Sequence, residues 1–355
     1  MPNIKKPKSA AVTETHKQAF DEIVSIIRNA RKKTFQTVNT VLIDLYWQVG
    51  EYISRKVHSA AWGEGVIDQL AGYIAKRHPD IKGFNRRNLY RMRQIYETYN
   101  NQEIVSPLVR QLPWTHNLII LSKCKREVER EFYLRLAIKE NWSRRELERQ
   151  VDGALFERSA ISPPNMSPAV TQIHPTASDV FKDTYLLDFL DLPESHSESD
   201  LQKRLVSNLK KFLLELGRDF CFIGDEYQVQ VGGKDFYIDL LFFHRGLSCL
   251  MAFELKIDDF KPEYLGKLSF YLEALDRDVR KEHEKPSVGI LLCKSKDDEV
   301  VEYALSRTLS PALVSEYQTR LPDKQLLRQK LHEFYELAYR QPEDQKTSGN
   351  ANDDE

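Results

Sequence analysis

Cysteine is scarce in this chain of 355 residues. Cys124, Cys221, Cys249 and Cys293 are scattered and form no CxxC, so neither a disulfide framework nor a zinc site has support. They are expected to serve as small buried hydrophobes. Long apolar runs are missing as well: none reaches the ~18 residues that a membrane-spanning helix needs, so no membrane partner is expected. The stretch MPNIKKPKSAAVTETHKQ lacks the apolar segment of a signal peptide, and a cytoplasmic location is the expectation. Net charge is almost absent too, at -1.

That small total hides a division. Residues 1–158 hold 28 Lys and Arg against 18 Asp and Glu, a balance of +10, and the remainder holds 24 against 35, a balance of -11. A basic module with an anionic partner, joined to an acidic module with another task, is the pattern this suggests. SAISPPNMSPAVTQIHPTA is rich in Pro and Ser without a sustained period and reads as a linker over 159–178. The polar, acidic end over 341–355 reads as a disordered tail, and the first dozen residues read as disordered also. Four regions follow: helical 13–158, linker 159–178, α/β 179–340, tail 341–355.

The basic half carries apolar residues at helical spacing: Ile23, Ile26 and Ile27, then Val38, Leu42, Leu45 and Val49. A helix is expected from Val66 to Arg77. A second should begin at RRNLYRMRQIYETY with Asn85 as N-cap, a third lies near Lys125 to Lys139, and WSRRELERQV opens with Ser143 and Glu146 in capping-box spacing. The acidic half alternates. SESDLQKRLVSNLKKFLLELG reads as one amphipathic helix with Leu201, Leu205, Leu209, Leu213 and Leu216 on its buried side. EYQVQV alternates as a strand, GGK turns the chain, and two more strands follow. A helix with Pro262 at its start and the buried strand PSVGILLCK come next; DEVVEYALSR reads as a helix and PALVSEY as a further strand. The expected class is a two-domain α+β protein: an all-helical N-terminal domain and a C-terminal αβββαβ unit with a mixed sheet.

One apolar hairpin, YIDLLFFHRGLSCLMAFELK, carries Asp239, Glu254 and Lys256. With the turn centred at Gly246 and Leu247, Asp239 and Glu254 fall at or near opposing positions, where Cβ atoms lie about 4.5–5.5 Å apart. Two carboxylates that close repel unless a cation or a proton lies between them. Glu254 and Lys256 share a side of their strand, while Phe253 and Leu255 face the core. Two acids and a lysine gathered on a buried sheet suit phosphodiester hydrolysis. Asp239, Glu254 and the backbone carbonyl of Leu255 offer hard oxygens to Mg²⁺, with Mn²⁺ as a substitute. Lys256 can orient the attacking water or stabilise negative charge. The plainer alternative is a buried ion pair of Lys256 with one of the acids. His244, at the turn, is expected at the surface.

Asp239 with Glu254-Leu255-Lys256, set in GGKDFYIDLLFFHR…AFELK…FKPEYLGKLSFYLEALD, resembles the PD-(D/E)XK nuclease superfamily, and within it the YhcG-type nucleases. LYWQVG, GFNRRNLYRMRQIY, LPWTHNLIIL and FYLRLAIKENWSRREL resemble that family's helical N-terminal domain. The resemblance runs from about Thr13 to Tyr317. It implies a restriction-endonuclease-like fold and an Mg²⁺-dependent nuclease that acts in DNA recombination, repair or defence. It also exposes two departures. Superfamily members often place a metal-ligating Glu on the first core helix; Gln202 stands there, which leaves Glu198 as the candidate ligand. Relatives often carry a Gln near Lys267, which here offers either a phosphate contact or a solvated lysine.

In KGFNRRNLYRMRQIYETY, Arg86, Tyr90 and Arg93 share one helical face and Arg87 and Arg91 an adjacent one, a pattern suited to gripping phosphates and stacking on bases. The alternative is a solvated basic face with tyrosines half buried. Trp114, His116 and Trp142 read as packing residues. The expected partner is nucleic acid, DNA above RNA, and duplex cleavage with one site per chain would suit a homodimer. Two other readings stay open: a nuclease fold that binds DNA or junctions without cutting, and a protein–protein adaptor in a defence complex.

Overall fold

The structure, a computed structural model, describes residues 39–59, 65–193 and 195–340. The expectations for the first dozen residues, for Ile23, Ile26, Ile27 and Val38, and for the tail lie outside the described residues. The chain divides into two compact units, 1–139 and 140–355.

The first unit is helical throughout its described part. Helix α1 is described over 39–58. It is followed by α2 (Val66–Arg77), α3 (Arg86–Tyr99), α4 (Val105–Gln111), α5 (Trp114–Lys123) and α6 (Glu127–Lys139). Asn85 caps α3 as its sequence predicts, its side-chain oxygen accepting the Asn88 N–H at 3.0 Å. The apolar stripe of α3, Leu89, Met92 and Ile95, is buried with Ile43, Ile53, Val109, Ile120 and Leu134. Stripe against stripe is what holds short helices together, since their intrinsic propensity is weak. Helices α4 and α5 lie in sequence that carries no clear apolar period.

The second unit opens with α7 (Arg144–Asp152) and α8 (Leu155–Ile161). Ser143 caps α7 through the Glu146 N–H at 3.2 Å. The segment expected as a linker is built into the sheet instead. Strand β1 (Asn165–Met166) pairs antiparallel with β7 (Ala312–Gln318), α9 (Pro168–Ile173) follows, and Val170, Ala177 and His174 are buried. Pro and Ser there serve as helix start and cap-position residues: Pro168 opens α9, and the Ser167 hydroxyl donates to the Ser310 carbonyl. Strand β2 (Thr184–Leu186) pairs parallel with β7.

The expected long helix is two: α10 (Glu198–Ser207) and α11 (Leu209–Leu216). At the joint, the Ser207 hydroxyl and the Asn208 side-chain amide both donate to the Arg204 carbonyl at 3.1 Å, competing with the regular ladder. The break turns the second half. Phe212, Glu215 and Leu216 point inward, while Leu209 and Leu213 are only half-buried.

Then come β3 (Phe220–Val231), β4 (Lys234–His244), β5 (Cys249–Leu255), α12 (Tyr264–Asp278), β6 (Lys285–Cys293), α13 (Asp298–Ser306), β7 and α14 (Lys324–Arg340). The sheet order is β1-β7-β6-β5-β4-β3; β3, β4 and β5 are antiparallel neighbours, and β5, β6 and β7 run parallel. The expected αβββαβ order and mixed sheet are present. One face buries Phe242, Met251, Phe253, Leu255, Ile290 and Leu292 together with Leu201, Leu205 and Phe212. The other buries Leu241, Ala252, Leu291 and Val314 under Leu268, Tyr271, Leu272 and Leu275 of α12. A Cβ on Gly289 would fall 2.6 Å from Leu268 Cγ, so glycine lets α12 lie close on the sheet beside the parallel pair β5–β6. Cys124, Cys249 and Cys293 are buried as expected; Cys221 is exposed, because it faces outward on the edge strand β3.

Candidate active site

The β4–β5 ladder runs from His244 opposite Cys249 at the turn end to Leu240 opposite Phe253 at the open end. Asp239 and Glu254 are the next residues along, at the open end, and the even spacing from the turn sets them level. The Asp239 side chain takes over where the ladder stops: its Oδ2 accepts the Leu255 N–H at 2.7 Å. The Asp239 carbonyl accepts Gln202 Nε2 from α10 at 3.0 Å. Tyr271 of α12 donates its hydroxyl to the Tyr237 carbonyl at 2.6 Å. Both neighbours of the strand end are thereby tied to helices on opposite faces of the sheet.

Glu254 is completely buried, and Lys256 is 8% exposed. The Lys256 ammonium lies 3.0 Å from Glu254 Oε1 and donates to the Leu255 carbonyl at 3.0 Å. It also donates to both oxygens of Glu198, at 3.2 and 3.1 Å. Lys267, in the first turn of α12, donates to the same Glu254 Oε1 at 2.6 Å. Among the described residues, Glu254 Oε2 is buried and has no hydrogen-bond partner. The structure thus brings Asp239, Glu254, Leu255 and Lys256 to one place, and adds Lys267 and Glu198 to it.

Charge follows from this packing. Burial and the neighbouring Glu254 charge push the Asp239 carboxyl up to about 6, against the pull of the Leu255 N–H, Lys267 and Lys256. Burial works against the charge on Lys256, but Glu254 and Glu198 overcome it and hold that ammonium above its usual range. Burial opposes the Lys267 charge also, and the contact with Glu254 again wins. Both lysines are therefore cations at neutral pH, suited to orienting and stabilising anions rather than to accepting protons.

A divalent cation fits the donors. The available atoms are oxygens, the set that Mg²⁺ prefers, and the partnerless buried Glu254 Oε2 is the kind of atom an ion satisfies. Among the described residues no three His, Cys, Asp or Glu side chains cluster as a metal cage. One or two carboxylates suffice to hold Mg²⁺ when substrate phosphate and water complete its shell. Glu198, the expected extra ligand, is turned to Lys256 instead, because its place in the first turn of α10 puts it beside that ammonium.

His244 is not at the surface. It is buried, accepts the Leu247 N–H at 3.0 Å through Nδ1 and packs edge-on against Phe220 at 4.8 Å. Its ring serves the turn, which nothing in the local sequence announces. His116 and Trp142 are buried, and Trp114 packs against Tyr46.

On α3, Arg86, Arg87, Tyr90, Arg91 and Gln94 line an open concavity of about 580 Å³. Arg86 lies 5.5 Å over the Tyr90 ring and pairs with Asp68 at 2.6 Å. Arg93, expected on the same face, is not part of that lining and pairs with Glu97 at 2.7 Å. Arg87 and Arg91, one turn apart, have no acidic partner among the described residues, and burial together with the Arg87 charge lowers the Arg91 pKa from its usual value. Like charges held side by side without compensation favour an anionic ligand.

Residues 178–332 match the family model described as YhcG PDDEXK nuclease domain, and residues 22–158 match the DUF1016 N-terminal domain. The chain is 30% identical to the Escherichia coli (strain K12) protein "Putative nuclease YhcG" over 361 aligned positions, covering 91% of this chain and 95% of that one. Two solved structures are similar over part of the chain. A repair endonuclease from Pyrococcus abyssi is 16% identical with a TM-score of 0.25, covering 36% of this chain and 49% of that one. EndoMS in its apo form is 18% identical with a TM-score of 0.23, covering 37% and 49%. The match spans about half the length of each of these two structures.

Proposed function

Because this chain belongs to the YhcG family, whose C-terminal domain is a nuclease domain of PDDEXK type, we propose that it hydrolyses phosphodiester bonds of nucleic acid, with DNA as the substrate, in dependence on Mg²⁺ or, in its place, Mn²⁺. The observation that carries this reading is the buried Glu254 Oε2, without a hydrogen-bond partner among the described residues, beside the Asp239 carboxylate and the Lys256 ammonium. Asp239, Glu254 and the Leu255 carbonyl would hold the ion. When bound, it supplies a water of lowered pKa and positive charge for the phosphoryl group.

The chain's own residues set up the rest. The Leu255 N–H fixes Asp239, and Gln202 fixes the backbone behind it. Lys256, held as a cation between Glu198 and Glu254, orients the attacking water and stabilises the developing negative charge. Arg86, Arg87, Tyr90, Arg91 and Arg93 of the helical unit are the proposed nucleic-acid contacts, with Arg87 and Arg91 foremost since no described acid neutralises them. The cellular setting that accords with this chemistry is cytoplasmic DNA recombination, repair or defence, and cutting both strands of a duplex would call for a homodimer.

A cleavage panel of circular, linear, single-stranded and branched DNA, and of RNA, with Mg²⁺ or Mn²⁺, tests this. Cleavage that vanishes in excess EDTA and in Lys256→Ala, with DNA retention kept in that variant, is the expected result. Full activity in either condition would refute the assignment. Gln202, a neutral amide at the place of an expected acid, favours a second reading: a nuclease fold that binds DNA or junctions without cutting. Retention of DNA with no nicking of plasmid under any metal would establish that reading.

A further inference from the structure

Lys267 is more than a basic residue near an acid. Its ammonium lies 2.6 Å from Glu254 Oε1, and its charge sits 5.4 Å over the Tyr271 ring, one turn further along α12. Tyr271 is itself pinned by its hydroxyl to the Tyr237 carbonyl, and the helix is pressed on the sheet at Gly289. Lys256 shares the same Oε1, so two ammonium groups serve one carboxylate oxygen while the other has no partner among the described residues. Lys256 also has Glu198 as a counterion. For Lys267, Glu254 is the sole acid within salt-bridge reach among the described residues.

We propose that Lys267 is a tethered cation that stands in the site in place of a second metal ion, so that the chain takes one divalent ion, on the Asp239 and Glu254 Oε2 side. This rests on the metal-dependent reading above. The reasoning is electrostatic. An ammonium held on Oε1 neutralises that half of the carboxylate and repels a dication there, while leaving Oε2 to be satisfied by an ion. The half-exposed lysine can also reach a phosphate oxygen arriving from solvent, the task that a second ion performs in two-metal sites.

Binding of Mn²⁺ to the full chain, without nucleic acid, tests this by calorimetry and by the electron paramagnetic resonance of free Mn²⁺. One ion per chain is expected for the wild type. Lys267→Gln should bind its first ion roughly tenfold more tightly, since a like charge is gone, and should take up a second ion at higher concentration. Lys267→Arg should keep the wild-type stoichiometry and affinity. In cleavage assays, Lys267→Gln should lose kcat more than KM, with Lys267→Arg restoring part of the loss. A wild type that binds one ion, with Lys267→Gln binding one ion no more tightly, overturns the inference and spares the metal site. A wild type that already binds two overturns it as well. No uptake in any variant overturns the metal-dependent reading and this inference with it.

Discussion

Among the described residues of the second unit, Glu215 and Glu254 have no exposed surface at all, and they are partnered in opposite ways. Glu215 of α11 has every oxygen engaged. Oε1 accepts the Lys182 ammonium and the Leu186 N–H, each at 3.1 Å, and Oε2 accepts Arg149 at 2.9 Å and Gln150 at 3.2 Å. Glu254 of β5 has two ammonium groups on one oxygen and, among the described residues, no partner on the other. Burial pushes the Glu215 carboxyl up, but Lys182, Arg149 and Arg158 outweigh it and hold it down at about 2. A closed set of partners makes a buried charge a structural tie, here joining α7, β2 and α11. An open set makes it a place for something that arrives later.

The sharpest way to break the comparison is to neutralise each acid. Glu215→Gln leaves the half-buried Lys182 ammonium without its anion and removes one of the three acids that pair with Arg149, and should cost about 3–5 kcal/mol in urea denaturation. The wild-type contribution of Glu215 should be lost as pH falls below 4.5 toward 2, because the folded carboxyl gives up its proton more readily than the unfolded one. Glu254→Gln should do the reverse. Its partners keep Glu198 or solvent, so stability should stay within about 1 kcal/mol, while cleavage falls by about 10²–10³-fold. Equal destabilisation by the two substitutions would remove the distinction.

Asp239 sharpens it from the other side. Its folded carboxyl keeps a proton up to about pH 6, whereas 3.8 is the ordinary value, so the folded state binds more protons across that window. Stability should therefore fall as pH rises from about 4 to 6, and Asp239→Asn, measured in EDTA, should gain on the order of 2 kcal/mol above pH 7. The gain should vanish below pH 4, where both side chains are neutral. No gain at any pH would mean that the site is not short of positive charge. The smallest effect belongs to the first unit. Arg87→Ala with Arg91→Ala should weaken DNA retention by about 1 kcal/mol per residue and reduce the salt slope by about 2. An unchanged slope would move the nucleic-acid contact elsewhere.

Much of this was legible in the chain. The level placement of Asp239 and Glu254 follows from strand alternation counted back from the turn, and Asn85 at the head of α3 is a cap by residue type and position. The break at Asn208 was not legible, because the leucine spacing runs through it while local side-chain bonds to Arg204 interrupt the ladder. The ordered 159–178 segment was missed since Pro and Ser signal loops and helix starts alike.

Sequence by itself determined which groups carry charge and which strand ends bear them, since period and turn length are local quantities. Tertiary structure alone decided how those charges are shared. Lys267 reaches Glu254 because α12 rests on Gly289, Glu198 reaches Lys256 from the far face of the sheet, and His244 disappears under Phe220. Electrostatic pairing acts through space at a few ångströms, and no spacing along the chain encodes which of two oxygens is left without a partner.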